Sequence, residues 1–212
     1  MKPGAGTKAA PTAAPAATAP AADSPADRPP AAAPAPTGKR PDDDDPSPRV
    51  ELKTSLGTIV LELDRARAPI TVENFLHHVA AGYYEGTIFH RVIPTFMAQG
   101  GGYTQARKRK APLRDPIRNE SEGGLTNARG TIAMARSGDP DSATSQFFLN
   151  VVDNAYRLDF PKASGHGYAV FGKVVEGMDV VDRIRDSTIV DQGGAFKDCP
   201  EQDIVIESAR RL

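Results

Sequence analysis

Between Phe89 and Gly101 the chain reads Phe-His-Arg-Val-Ile-Pro-Thr-Phe-Met-Ala-Gln-Gly-Gly, and the group in it best suited to chemistry is the guanidinium of Arg91. In a strand, side chains alternate between faces, so Phe89, Arg91 and Ile93 share one. That sets a cation between two large apolar groups. Arginine cannot shed its proton to suit a dry site, so such a position calls for a partner or a use. Gln99 carries one acceptor and two donors and can orient the guanidinium from the next strand segment. The competing reading is that Arg91 snorkels off a sheet edge, and the strand alone does not choose between them.

A second stretch, Ser145-Gln146-Phe147-Phe148-Leu149-Asn150-Val151, puts Phe147, Leu149 and Val151 on one wholly apolar face and Gln146, Phe148 and Asn150 on the other. Phe148 is then an aromatic between two amides. That is the composition of a ligand groove, although a single exposed aromatic is also ordinary.

The elements that must position these groups follow from the patterning. Val50-Glu51-Leu52-Lys53-Thr54 alternates, Gly57 turns, and Thr58 to Leu63 returns, which predicts a hairpin. Pro69 pre-sets a helix start with Thr71 as its N-cap. Val72, Phe75, Leu76 and Val79 then form one apolar stripe, ended by Gly82. Strand-like runs follow at 87–93, 96–99, 131–135, 146–151 and 168–175, then a second helix at 177–186 and a last strand at Asp203-Ile204-Val205-Ile206-Glu207. The expectation is a mainly β fold, a closed eight-stranded antiparallel barrel capped by two α-helices.

Residues 1–48 hold twelve of the nineteen prolines, are otherwise dominated by alanine, contain no aromatic, and close on the acidic run Asp42 to Asp45. Such a segment buries too little apolar surface to offset its ordering entropy, which predicts a disordered tether before a domain at 49–212. The formal net charge is −1, so no global field draws the protein to nucleic acid, and no apolar run is long enough to span a bilayer. The run Arg107-Lys108-Arg109-Lys110 lacks interleaved aromatics, and nucleic acid is not expected as a partner. His77, His78, His90 and His166 lack metal-ligand spacing, no nucleophile elbow or phosphate-cradling loop is present, and Cys199 has no base beside it. No metal or cofactor is expected. Nothing in the chain requires more than a monomer.

The stretch Phe89 to Gly101, together with Gly130-Thr131-Ile132-Ala133-Met134-Ala135, Ser145-Gln146-Phe147-Phe148 and Tyr168-Ala169-Val170-Phe171-Gly172-Lys173-Val174, resembles the signature blocks of cyclophilins, in order across residues 50–210. Asp141-Ser142-Ala143-Thr144-Ser145 and Gly177-Met178-Asp179-Val180-Val181-Asp182 are similar to the bacterial branch. The resemblance implies a peptidyl-prolyl cis/trans isomerase acting on proline-containing polypeptides, with Arg91 catalytic and Phe96, Met97 and Phe148 lining the pocket for the proline ring. It implies that Gln99 and Gln146 are pocket polar groups and that Ala135 and Arg136 lie along the groove. Arg136 enters as a backbone donor only, since the family usually has asparagine there. The family's frequent tryptophan falls within Asn154 to Asp159, where one extra residue leaves Tyr156 or Leu158 beside the pocket; Leu158 is the choice carried forward. The family's pocket histidine aligns with Tyr168, and His166 is expected in a loop. With no tryptophan in the chain, cyclosporin binding is expected to be weak. A Pro/Ala tether before a bacterial-type domain favours the periplasm if an export signal was removed, and otherwise the cytoplasm.

Overall fold

The computed structural model describes residues 45–212; residues 1–44, and with them nearly all of the tail expected at 1–48, lie outside the described residues. Arg49–Thr54 (β1) and Gly57–Leu63 (β2) form the expected hairpin, with Thr54 opposite Gly57. Gly57 sits at φ +132°, a conformation glycine reaches without steric cost. The chain already pairs just before β1: Leu63 N–H donates to Pro48 O at 2.9 Å and Arg65 N–H to Pro46 O at 3.0 Å.

The helix Pro69–Ala80 (α1) follows, then Thr87–Ile93 (β3), Met97–Thr104 (β4), Thr131–Met134 (β5) and Phe147–Asn150 (β6). Two four-residue helices, Ala155–Leu158 (α2) and Lys162–Gly165 (α3), precede Val170–Glu176 (β7) and Met178–Arg185 (α4). Ile189–Val190 (β8) pairs with Cys199–Pro200 (β9), and Ile206–Arg211 (β10) ends the fold. The main sheet runs β10-β1-β2-β7-β5-β6-β4-β3, antiparallel throughout. It all but closes into a barrel where Phe89 N–H donates to Ile204 O at 3.0 Å, Gly86 N–H to Ile206 O at 2.9 Å, and Ile88 bridges Val205.

The predicted stripe of α1 plugs the barrel. Val72 and Phe75 are wholly buried, and the Phe75 ring lies 5.1 Å from Tyr84, 5.1 Å from Phe171 and, edge-on, 5.8 Å from Phe147. Each such ring withdrawn from water contributes about 1.5–3 kcal/mol. Helix α4 buries Val180, Val181 and Ile184.

Four expectations differ. The last strand lies three residues later than read, because Asp203 pairs with Arg107 at 2.7 Å and Ile204 and Val205 serve the closure with β3. Four helices replace two, since α2 and α3 are single turns too short to show a stripe. Thr71 lies inside α1, whose N-cap residue is Ala68 and makes no side-chain cap. A carboxylate from a distant loop does that work: Glu120 accepts from Ile70 N–H at 3.1 Å and from Thr71 N–H and Oγ1–H at 2.8 and 2.7 Å. The fourth difference concerns β3 and shapes the site.

Candidate active site

Simple alternation puts Phe89, Arg91 and Ile93 on one face, but β3 carries a bulge: Phe89 pairs with Gly100 and Arg91 with Gln99. Two steps along β3 match one along β4, which re-aims the side chains after Phe89. Phe89 therefore stays in the barrel core, 6.1 Å from Phe147, while Ile93 packs in a separate apolar cluster on the outside. Outside the barrel a single row of paired residues crosses five strands: Arg91 opposite Gln99, Gln99 opposite Phe148, Phe148 opposite Ala133, and Ala133 opposite Val170. Neighbouring strands lie about 4.8 Å apart, so a guanidinium and an aromatic ring two strands away can flank one small substituent.

The outer cluster comprises Phe96, Met97, Ala133, Ala135, Phe148, Leu158, Tyr168 and Val170, all buried. The Phe148 ring meets Tyr168 edge-on at 5.7 Å. Burial pushes the Tyr168 hydroxyl above its ordinary range, an effect opposed by the Arg136 and Arg91 charges. Leu158 is 1% exposed within the cluster whereas Tyr156 is 65% exposed, so of the two it is Leu158 that joins the cluster. The extra residue of this loop, read from the sequence only as a shift in register, puts Arg157 between them. Its guanidinium carbon lies 5.1 Å from the centre of the Phe96 ring and 4.6 Å from that of Tyr156.

Amides frame the row. Gln99 Nε2 donates to Gln146 Oε1 at 2.9 Å, and both residues are buried. Gln146 has room because residue 102 is glycine: a β-carbon there would stand 2.5 Å from Gln146 Cδ. Asn154 Nδ2 donates to Phe96 O and to Asn150 Oδ1, each at 2.8 Å, tying the pocket segment to β6. His166 is a loop residue whose carbonyl accepts from Asn119 Nδ2 at 3.0 Å.

Arg136 is 4% exposed and spends its guanidinium on the protein itself. Nε donates to Gly167 O at 3.0 Å, Nη1 to Ser137 O at 2.9 Å and Nη2 to Ala163 O at 3.1 Å, while the group lies 4.3 Å over the Tyr168 ring. It is a brace between the end of β5 and the loop carrying α3.

Sequence reasoning missed Asp198. Its Oδ2 accepts from Arg91 Nε at 3.2 Å, and its carbonyl accepts from Val92 N–H at 2.7 Å. The two residues are 107 positions apart, and no local pattern links them. The basic run also finds structural work. Arg107 pairs with Asp203, donates to Gln192 Oε1 at 3.1 Å and lies 5.4 Å over Phe196, clamping the loop that bears Asp198. Lys110 Nζ donates to the Tyr83 and Glu85 carbonyls. Cys199 is fully buried, and burial raises its thiol pKa. Among the described residues no three His, Cys, Asp or Glu side chains stand together as a metal site, and no helix is long and apolar enough to cross a membrane.

A family model described as cyclophilin type peptidyl-prolyl cis-trans isomerase/CLD matches residues 49–211. The chain is 56% identical over 164 residues to peptidyl-prolyl cis-trans isomerase cyp18 of Streptomyces antibioticus, covering 77% of this chain and 98% of that one. It is 50% identical over 161 residues to peptidyl-prolyl cis-trans isomerase B of Escherichia coli, covering 75% and 96%. Among solved structures, a cyclophilin type peptidyl-prolyl cis-trans isomerase from Cryptosporidium parvum, determined in the presence of the dipeptide Ala-Pro, superposes with a TM-score of 0.64 at 26% identity, over 76% of this chain and 96% of that one.

Proposed function

Since the chain belongs to the bacterial cyclophilin-type peptidyl-prolyl cis/trans isomerases, we propose that it performs this reaction through Arg91, with Phe96, Met97, Phe148, Leu158 and Tyr168 receiving the proline ring. The observation that carries the assignment of residues is the row Arg91, Gln99, Phe148 and Ala133 across β3, β4, β6 and β5, which sets one guanidinium beside one apolar cluster.

The amide C–N bond resists rotation by about 18–20 kcal/mol because the nitrogen lone pair is delocalised into the carbonyl. X–Pro bonds accordingly interconvert in tens to hundreds of seconds. No covalent bond needs to form or break. With the ring seated on Phe148 and Phe96, an Arg91 N–H aimed at the prolyl nitrogen donates to its lone pair once rotation localises it, and gains little from the planar amide. That is differential binding of the twisted state. An acceleration on the order of a millionfold takes about 8 kcal/mol, more than one hydrogen bond contributes, so the ring pocket and the Gln99, Gln146, Ala135 and Arg136 wall must restrain the flanking chain as well.

NMR exchange spectroscopy on a short X–Pro peptide, with catalytic amounts of wild type and Arg91→Ala, tests the assignment. Fast exchange with wild type and loss of orders of magnitude in the variant are expected, with Arg91→Lys recovering little because a point ammonium lacks the fork geometry. Peptide shifts without acceleration by wild type would instead make the groove a proline-peptide binder or chaperone.

Finer points rest on the same reading. A leucine at 158 where the family often has tryptophan offers no indole to cyclosporin, so its affinity falls well short of nanomolar. The protein acts as a monomer. The Pro- and Ala-rich segment 1–44 is a spacer, which favours the periplasm if an export signal was removed and otherwise the cytoplasm, and its deletion leaves turnover unchanged.

A further inference from the structure

We propose that Arg157 selects substrates by charge: it lies over the wall of the proline pocket, and a chain entering the groove draws it from the Phe96 ring to a carboxylate beside the proline. The inference rests on the isomerase reading and adds a specificity to it.

The Arg157 guanidinium is sandwiched between the Phe96 and Tyr156 rings and donates to the Tyr156 hydroxyl. No ion pair among the described residues includes it. The two acids nearest in sequence are committed elsewhere. Asp153 Oδ1 accepts from Ala155 N–H at 3.0 Å, and Asp159 Oδ1 accepts from Asn127 N–H at 2.8 Å and Asn127 Nδ2 at 2.9 Å. Arg136 shows the contrast, since each of its three nitrogens donates to a backbone carbonyl. Arg157 is held by two rings and one hydroxyl, which leaves other N–H groups of its guanidinium for an acceptor.

Phe96 is wholly buried with this cation over it. A proline ring packing on Phe96 must shift the guanidinium and give up its contact with the ring. An Asp or Glu flanking the proline replaces that contact with a charge-assisted hydrogen bond, whereas a Lys meets the like charge of Arg157.

The test measures kcat/KM by NMR exchange for matched peptides carrying Glu, Gln or Lys next to the proline, in separate sets before and after it. Wild type, Arg157→Ala and Arg157→Glu are compared. In wild type the Glu peptide should exceed the Lys peptide about two- to fivefold at low salt. The preference should shrink at about 0.5 M salt, where charges are screened within a few ångströms. The ratio should approach one in Arg157→Ala and invert in Arg157→Glu. Equal ratios in all three proteins overturn the proposal. No acceleration of any peptide by folded wild type overturns the isomerase reading instead, and the affinities of the same peptides, ranked by charge or not, then decide the role of Arg157.

Discussion

Asp198 holds Arg91 from behind: its carboxylate meets the guanidinium at Nε, 3.2 Å away, while its carbonyl is bonded to the next residue along β3 at 2.7 Å. Backbone and side chain of one loop residue thus fix both the strand and the cation it presents. Holding a guanidinium by its Nε edge directs the opposite edge, and pre-set orientation is what a donor must have to favour a twisted amide over a planar one. The loop is itself pinned by Arg107 to Asp203 and Gln192.

Asp198→Asn is therefore expected to lower kcat several-fold while leaving KM for a proline peptide nearly unchanged, because the proposed ring pocket is untouched. Asp198→Ala should lower it further. Exchange rates measured at saturating and at low peptide separate the two parameters. A fall confined to KM would mean that Asp198 shapes binding and does not orient Arg91.

Much of this was legible in the sequence, for reasons that also mark where reading stops. The stripe on α1 and the hairpin of β1 and β2 follow from periodicity and one glycine, both local signals. The Phe148 side of the groove could be read because β6 keeps strict alternation. The Arg91 side could not be read geometrically, because the bulge after Phe89 changes the face without altering composition. The cap of α1 by Glu120 and the pairing of Arg91 with Asp198 join residues 49 or more positions apart, and such partners appear only once the chain is folded. The extra residue between Asn154 and Asp159 was visible, but that Arg157 comes to lie over Phe96 depends on the turn of α2.

Arg136 is expected to matter for stability more than for chemistry. Removing it leaves the carbonyls of Ser137 and Ala163 without their donor, and that of Gly167 with only Asn119 Nδ2 at 3.3 Å, in a partly buried place. Losing charged hydrogen bonds of this kind costs about 2–3 kcal/mol. Arg136→Ala should lower the urea midpoint accordingly and raise KM, since Tyr168 and the α3 loop lose their brace, and Arg136→Lys should rescue only part because an ammonium lacks the planar fork. A variant with unchanged midpoint and altered turnover would instead put the guanidinium in contact with substrate.

Two buried histidines set the acid limit of the fold. His78 Nδ1 faces Asn74 O at 2.8 Å and Nε2 faces Leu113 N–H at 3.2 Å, which fixes the neutral tautomer with its proton on Nδ1. Burial, with smaller effects from His77 and Arg114, lowers its pKa to about 4, and burial with the neighbouring Arg91 charge lowers that of His90 to about 3. An unfolded histidine titrates near 6.5. Between that value and the folded one the unfolded chain binds more protons, so stability falls as the pH drops from about 6.5 towards 4 for His78 and towards 3 for His90. Each pKa unit corresponds to about 1.4 kcal/mol, making the combined loss on the order of several kcal/mol. Urea midpoints should decline steadily over this range, with a shallower slope in His78→Gln, while the imidazole resonances of both residues stay neutral at pH 5 in the folded protein. Imidazole shifts that titrate near pH 6.5 would refute this account, whatever the midpoints do.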